Sequence, residues 1–154
     1  MPQSIFKTLH AIQLLSVETR ELFVRLNGPI DNERASLYAK EIILNSAHSD
    51  FDKDEKTIHV GIRLSLGMEK EKTLPVSMRI EILGTFIVNT DEFPVEQINN
   101  WADKNAPIIL YPFIREHVFA LTTRCGLPQI VLPLLQVPTL QKKVMRKAKK
   151  DQSL

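Results

Sequence analysis

The sequence predicts an α+β fold: a four-stranded antiparallel sheet with a long helix in the C-terminal half and short helices packed on one face. Two segments in the middle of the chain alternate apolar and polar residues, as half-buried strands do. Short charged turns separate neighbouring segments, which favours antiparallel hairpins. The last third repeats its apolar residues at helical spacing instead. Strands followed by helices are typical of an α+β domain.

The first strand is predicted near Ala11 to Leu26 and contains an irregularity. Its apolar residues follow one alternation phase early and the opposite phase later: Leu15 and Val17, then Leu22, Val24 and Leu26. One inserted residue turns every later side chain to the other face, so the change is expected near Glu18 to Glu21. Asn27-Gly28-Pro29 then forms a turn, and Ile30 to Ser36 crosses to the second strand.

The most regular strand is predicted from Thr57 to Leu66, where every second residue is apolar: Ile58, Val60, Ile62, Leu64 and Leu66. The segment from Val76 to Val88 repeats this pattern, and Gly84 interrupts it as a bulge or a close approach would. The charged turn from Gly67 to Thr73 joins the two strands into a hairpin.

The second strand is predicted within Leu37 to Phe51, which contains the apolar run Ile42-Ile43-Leu44. An acidic turn at Asp50 to Glu55 leads from it into the strand that begins at Thr57. Two successive hairpins make the predicted sheet antiparallel.

Two helices are predicted after the strands. The short one starts at Pro94, where proline suits the first helical position, and breaks at Asn105 to Pro107. The long one runs from Ile108 and ends at Gly126 before Pro128. Its expected buried stripe consists of Leu110, Ile114, Val118, Leu121 and Cys125.

An apolar segment follows the long helix and contains Leu127, Ile130, Val131, Leu132, Leu134 and Leu135. Prolines interrupt it at positions 128, 133 and 138, so it cannot join the middle of a sheet. We expect it to lie along the domain as an apolar strap.

Composition is that of a single globular domain, with 44% hydrophobic and 25% charged residues among 154. The longest apolar run, Ile108 to Ile114, is too short to span a membrane, and the N-terminus lacks the pattern of a signal peptide. A single cysteine, Cys125, excludes an internal disulfide and agrees with a reducing compartment. A cytoplasmic location is therefore predicted.

Charge divides the chain into residues 1–140 and a basic tail, residues 141–154. The tail carries six Lys and Arg against one Asp, a net +5, which leaves −3 on residues 1–140 because the total is +2. Such a tail is either a solvated helix end or a contact for nucleic acid or an acidic partner.

No constellation of catalytic, metal-binding or nucleotide-binding residues is visible. The four histidines, His10, His48, His59 and His117, are scattered without metal-ligand spacing. No glycine-rich phosphate loop is present. The carboxylate pairs Asp52/Asp54 and Glu69/Glu71 lie in turns beside lysines, as solvated residues do. The sequence thus predicts neither an enzyme nor a cofactor.

The run from Leu110 to Glu116, with Gly126, Pro128 and the leucines that follow, resembles the signature region of the SecB family of protein-export chaperones. It is more similar still to the SecB-like chaperones encoded beside toxin–antitoxin pairs. The resemblance is strongest over about 30 residues of this chain, and the order of the predicted strands agrees with it.

This resemblance implies a chaperone that holds unfolded polypeptide in apolar grooves without ATP and assembles as a dimer of dimers. The residues predicted to line such grooves are Leu26, Ile30, Tyr38, Phe86, Phe113, Leu132, Leu134 and Leu135. The carboxylates predicted to dock a partner are Glu21 and Glu69. Family members that deliver precursors to the SecA motor carry surface carboxylates on the early part of the sheet. This chain keeps one of these acidic positions as Glu21 but has Arg25 at the other, which reverses the charge.

Several functions remain open from the sequence. The client is either a range of unfolded precursors, with SecA as partner, or one dedicated protein such as an antitoxin. Of the other classes, a nucleic-acid-binding module would use the basic tail, but residues 1–140 are net negative and lack basic–aromatic interleaving. A small-ligand-binding barrel or an enzyme is the third class. An oligomer is expected, either a dimer or a tetramer.

Overall fold

The protein forms one antiparallel sheet with its helices on a single face, which confirms the predicted fold class. The structure is a computed structural model and describes residues 9–31, 39–69, 74–128 and 130–135. Its strands are β1 (Ile12–Leu26), β2 (Ile43–His48), β3 (Thr57–Leu66) and β4 (Val76–Val88), in the spatial order β1-β4-β3-β2. Short 3-10 turns at Ala39–Glu41 and Val95–Gln97 precede β2 and helix α1 (Ile98–Lys104), and helix α2 spans Ala106–Arg124.

Strands β3 and β4 form the floor of the core, and both begin and end where the alternation predicts. Their even-numbered residues face the helices and are buried, from Ile58 opposite Phe86 to Leu66 opposite Met78. Burial of each large aliphatic side chain contributes about 1.5–3 kcal/mol before the cost of ordering the chain is subtracted. The opposite face of the sheet is polar along most of both strands.

Strand β1 contains two irregularities against β4. The register shifts between Thr19 and Glu21, within the predicted interval, and also between Leu14 and Ser16. Each shift inserts one unpaired residue and turns the later side chains to the other face. The prediction of one irregularity is therefore confirmed, and the sequence analysis missed the second.

Gly84 marks a close approach between β4 and α2. The pairing with β1 and β3 continues through Gly84 without a shift, so this glycine is not a bulge. A Cβ atom added there would lie 2.6 Å from Cδ2 of Leu110. The missing side chain lets the helix pack directly against the strand.

Helix α1 packs against the sheet and contacts both the central strand β4 and the edge strand β2. Its buried residues include Trp101, whose ring meets Phe86 edge-on with centroids 5.0 Å apart. At the β2 edge of the sheet, Oδ1 of Asp103 lies 3.1 Å from Nε2 of His48. The apolar contact thus joins α1 to β4, and the polar contact joins it to β2.

Helix α2 ends as predicted but begins two residues earlier, at Ala106, with Pro107 in its first turn. Gly126 has φ +70°, and its N–H donates to the Thr123 carbonyl at 3.1 Å while Leu127 N–H donates to the Thr122 carbonyl at 2.9 Å. These two bonds form a Schellman cap. The predicted helix C-terminus is confirmed.

The buried face of α2 differs from the predicted stripe at its C-terminal end. Leu110, Ile114 and Val118 are buried, but the next fully buried residue is Thr122, and Leu121 and Cys125 are only half-buried. Thr122 is tolerated in the core because its hydroxyl donates to the carbonyl of Val118 at 2.9 Å. Among the described helices, none combines the length and hydrophobicity that crossing a membrane requires.

Candidate polypeptide-binding surface

The strap, residues 130–135, runs beside α2 and shares a crevice with it. Ile130 and Leu132 are buried, the latter only 3% exposed, whereas Val131 and Leu134 point to solvent and Leu134 is 79% exposed. Two side chains anchor the strap, and two apolar side chains are presented by it.

A buried tyrosine fixes the strap to the helix. The hydroxyl of Tyr111 donates a hydrogen bond of 2.5 Å to the carbonyl oxygen of Pro133. Burial raises the pKa of Tyr111, so the phenol keeps the proton that it donates. Between the strap and the helix lies an open crevice, lined by Pro112, Arg115, Glu116, Phe119, Ile130, Val131 and Leu132.

The outer side of α2 continues this apolar surface. Ile109, Phe113 and Phe119 lie on the side turned away from the sheet and are exposed by about two fifths. We call these three residues, together with Val131 and Leu134, the helix–strap surface. Phe119 and Val131 line the same crevice, which joins the helix part of this surface to the strap part. Scattered exposed apolar residues are normal, but exposed apolar residues on neighbouring elements make a candidate interaction site.

The helix-facing side of β1 is a second exposed apolar area. Leu22 and Leu26 pair with Ile80 and Val76, whose side chains face the core, yet both leucines are more than 40% exposed. Helix α2 packs on β3 and β4 and reaches β1 at Thr19, whose Oγ1 lies 3.3 Å from Nε2 of His117. Beyond that contact Val24 packs partly against the core, whereas Leu22 and Leu26 stay exposed among the described residues.

Two predicted groove residues are core residues instead, which corrects the sequence analysis. Phe86 is 1% exposed because its even position on β4 faces the helices and its ring packs against Trp101. Leu132 is 3% exposed because it belongs to the core cluster that anchors the strap. Neither side chain can contact a client in this subunit without disrupting the core.

The other predicted groove residues differ in their exposure to solvent. Leu26, Phe113 and Leu134 are exposed, whereas Ile30 and Leu135 are half-buried against the core. Tyr38 lies outside the described residues. The structure adds exposed apolar residues that the sequence analysis passed over: Leu22, Ile109, Phe119 and Val131. For Ile109 and Phe119 the signal in the sequence is an apolar residue that falls off the buried stripe of its helix, whereas Leu22 lies on the inner face of β1 and gave no such signal.

Charged pairs cross the outer face of the sheet. Glu21 of β1 is held by two hydrogen bonds from the Arg79 guanidinium, and Arg63 of β3 pairs with Glu81 of β4 at 2.6 Å. The hydrogen bonds from Arg79, with its charge and that of Arg63, hold the pKa of Glu21 below 4.5. The carboxylate predicted to dock a partner is therefore already paired inside its own chain. Glu69 is exposed on the turn after β3.

The Glu21–Arg79 pair should make part of the stability dependent on pH. Because the folded-state pKa of Glu21 is depressed, its contribution is fully present above 4.5, the ordinary pKa, and is lost as the pH falls through the folded value. We expect Glu21→Gln to flatten the fall of unfolding free energy below pH 4.5, measured by urea denaturation at a series of pH values. Glu96→Gln, at an exposed position of the 3-10 turn, is the matched control. An unchanged slope in Glu21→Gln would contradict the assignment.

Comparisons with known proteins identify the relatives of this fold and surface. The family model described as preprotein translocase subunit SecB matches residues 35–147. The chain belongs to the SecB family. Its described part carries the four-stranded antiparallel sheet and the long C-terminal-half helix of a SecB-like fold.

Two curated SecB proteins are similar over part of the chain. The protein-export protein SecB of Anaplasma phagocytophilum is 28% identical over 85 residues, which cover 54% of this chain and 54% of the relative. The protein-export protein SecB of Ehrlichia chaffeensis is 22% identical over 126 residues, covering 79% and 72% of the two chains. The alignment thus spans about half the length of the first of these SecB relatives.

A solved structure supports the SecB-like fold. The SecB-like chaperone of Mycobacterium tuberculosis, solved in complex with a peptide from the HigA1 antitoxin, superposes with a TM-score of 0.60 and 20% identity. The match covers 82% of this chain and 88% of that chain. At this identity the likeness concerns the fold.

Proposed function

We propose that this SecB family protein is an ATP-independent holdase that binds unfolded polypeptide in the cytoplasm. The observation that carries this proposal is the helix–strap surface, where apolar side chains are held in the open by a strap anchored in the core. Unfolded clients expose extended apolar segments that can fill the crevice beside the strap. Binding of this kind needs no catalytic group, and the proposed role is that of a chaperone rather than an enzyme.

The exposed apolar areas are also those from which an oligomer would form. We propose a homotetramer, a dimer of dimers, because the apolar side chains of Leu15, Leu22 and Leu26 are exposed along β1 and a second copy could cover them by side-chain packing. Repetition of the helix–strap surface over several subunits would add avidity for one long client. In this proposal residues 1–140 form the chaperone domain, and the basic tail, residues 141–154, is a separate segment that lies outside the described residues.

For the client, the geometry favours a dedicated protein over general precursors delivered to SecA. The Glu21 carboxylate is neutralised by Arg79, and Arg25 projects on the same face, with its guanidinium 5.4 Å from the centre of the Phe23 ring. A motor that recognises open carboxylates would find fewer of them here. The antitoxin peptide bound by the mycobacterial chaperone supports an antitoxin as this client.

A single substitution in the strap tests the holdase role. Leu134→Asp should weaken client holding about tenfold or more, because a side chain buried by a client contributes about 1.5–3 kcal/mol and a carboxylate would lose it. Light scattering of a reduced, unfolding client measures the effect, and native mass spectrometry measures the assembly. Asn99→Asp, exposed on α1, is the control of equal charge.

The two measurements separate the possible roles of Leu134. Reduced holding by an intact oligomer places this residue in client binding. Disassembly would place it at a subunit interface instead. A wild-type protein that fails to suppress aggregation at any ratio to the client would refute the holdase proposal itself.

A further inference from the structure

Strand β2 leaves one edge of the sheet open. Its six residues pair with β3 from Ile43 opposite Ser65 to His48 opposite Val60, without a shift. Within the described ranges no strand pairs with the other side of β2, since the sheet order ends there. An open edge carries a row of unpaired N–H and C=O groups that can template another strand.

The register shows which backbone groups of β2 point outward. Ser49 N–H donates to the His59 carbonyl at 2.9 Å, and His59 N–H donates to Ser49 Oγ at 3.0 Å, so the backbone N–H of Ser49 points toward β3. Counting back by twos along the same register, Ile43, Asn45 and Ala47 also point their backbone groups toward β3. The alternate residues, Leu44, Ser46 and His48, therefore point their N–H and C=O groups away from the sheet.

The two edges of the sheet differ in how well they resist an added strand. Edge strand β1 has two register shifts and four charged residues: Glu18, Arg20, Glu21 and Arg25. Bulges and charges are the usual means of protecting an edge. Strand β2 has a continuous register and contains no Lys, Arg, Asp, Glu, Pro or Gly. The open backbone of β2 thus lacks this protection.

Two depressions lie over the β2–β3 pair, where a side chain of a strand added to β2 could lean across β2. The first lies at Ile43 and Ser65, beside the turn with Met68 and Glu69. The second lies at Ala47 and Gly61, next to the Arg63–Glu81 pair, where small residues leave the outer face low. Four residues separate Ile43 from Ala47, or about 13 Å in a strand. Side chains four apart in an added strand share a face, so one such pair could occupy both depressions.

We propose that the β2 edge binds an extended client segment as a fifth strand, with bulky side chains four residues apart in the two depressions. This inference rests on the proposed holdase function and gives the client a second site, on the opposite side of the sheet from the helices. Backbone bonds to Leu44, Ser46 and His48 would supply affinity that is largely independent of sequence. The two side chains held in the depressions would fix the register of the added strand against β2.

Proline at Ser46 tests the role of the outward backbone. Ser46→Pro removes an N–H that points away from β3, so the β2–β3 bonds stay intact. We expect about tenfold weaker binding of a labelled twelve-residue peptide with leucines at positions 4 and 8 and threonine or serine elsewhere, measured by fluorescence anisotropy. Ser46→Thr, which keeps the N–H, should bind as the wild type does. Thermal melts check that both variants fold.

A second measurement leaves the protein unchanged and decides the matter if Ser46→Pro does not fold. The same peptide is N-methylated at its even positions or at its odd positions. A strand added to an edge points only alternate N–H groups at it, so one set should lose about tenfold in affinity and the other should retain binding. Equal binding by both sets would overturn the edge site.

The remaining outcomes separate this proposal from the holdase function. A wild-type protein that holds a denatured client while Ser46→Pro and Ser46→Thr bind the peptide equally would overturn the edge site alone. A wild-type protein that holds no client would overturn the holdase proposal and this inference with it. A fall in native mass in Ser46→Pro would assign the edge to a second copy of the chain, which also contradicts the proposal.

Discussion

Phe86→Ala should lower the free energy of unfolding by about 3–5 kcal/mol, the range observed when a buried aromatic side chain is truncated. Phe86 is 1% exposed, and its ring packs edge-on against Trp101 between β4 and α1. Truncation removes this contact and leaves a cavity that the central strand of a packed sheet cannot close. Chemical denaturation followed by far-UV circular dichroism measures the change.

Phe113→Ala is the matched control, because the same chemical change is made on the outer side of α2. Phe113 is 36% exposed, so its truncation should cost about 1 kcal/mol or less while client holding falls. Equal losses of stability in the two variants would show that Phe113 is buried by a partner subunit. A Phe86 variant as stable as the wild type would contradict the position of Phe86 in the core.

The strands were the most predictable part of the fold, because burial on one face imposes a period of two on the sequence. β3 and β4 alternate along their whole length, and the structure keeps both sets of bounds. The extra residue between Leu14 and Ser16 was not predictable in the same way. Leu15 is apolar and continues a plausible alternation, yet it is exposed beside the shift.

The surface was less predictable than the fold, because apolar residues in the core and on a binding surface look alike in a sequence. Phe86 and Phe113 are both aromatic residues within apolar segments, and only packing distinguishes them. Likewise, prolines identified the strap but not where it leaves the core, so the buried Leu132 and the exposed Leu134 were assigned alike. The ion pair of Glu21 with Arg79 depends on the register between β1 and β4. The sequence indicated only one of the two register shifts, so it could not align these two residues.

Gly84→Val should destabilise the protein by about 1–3 kcal/mol, the cost of forcing extra methyl groups into a packed core. A Cβ atom at Gly84 would lie 2.6 Å from Cδ2 and 3.2 Å from Cδ1 of Leu110, and Leu110 is fully buried. Relief requires either the buried Leu110 side chain to leave its rotamer or α2, which carries Ile109 and Phe113, to move away from the sheet. Urea denaturation measures the loss of stability, and weakened client holding would show that the helix has moved.

Gly61→Val makes the same change on the neighbouring strand and should have the opposite sign. Nothing lies closer than 3.9 Å to a Cβ atom at Gly61, because this residue faces the outer side of the sheet. Valine favours strands and restricts the unfolded chain, so a gain of about 0.5–1 kcal/mol is expected. If Gly84→Val were as stable as Gly61→Val, α2 could not be seated on β4 as described, and the position of the helix–strap surface would have to be revised.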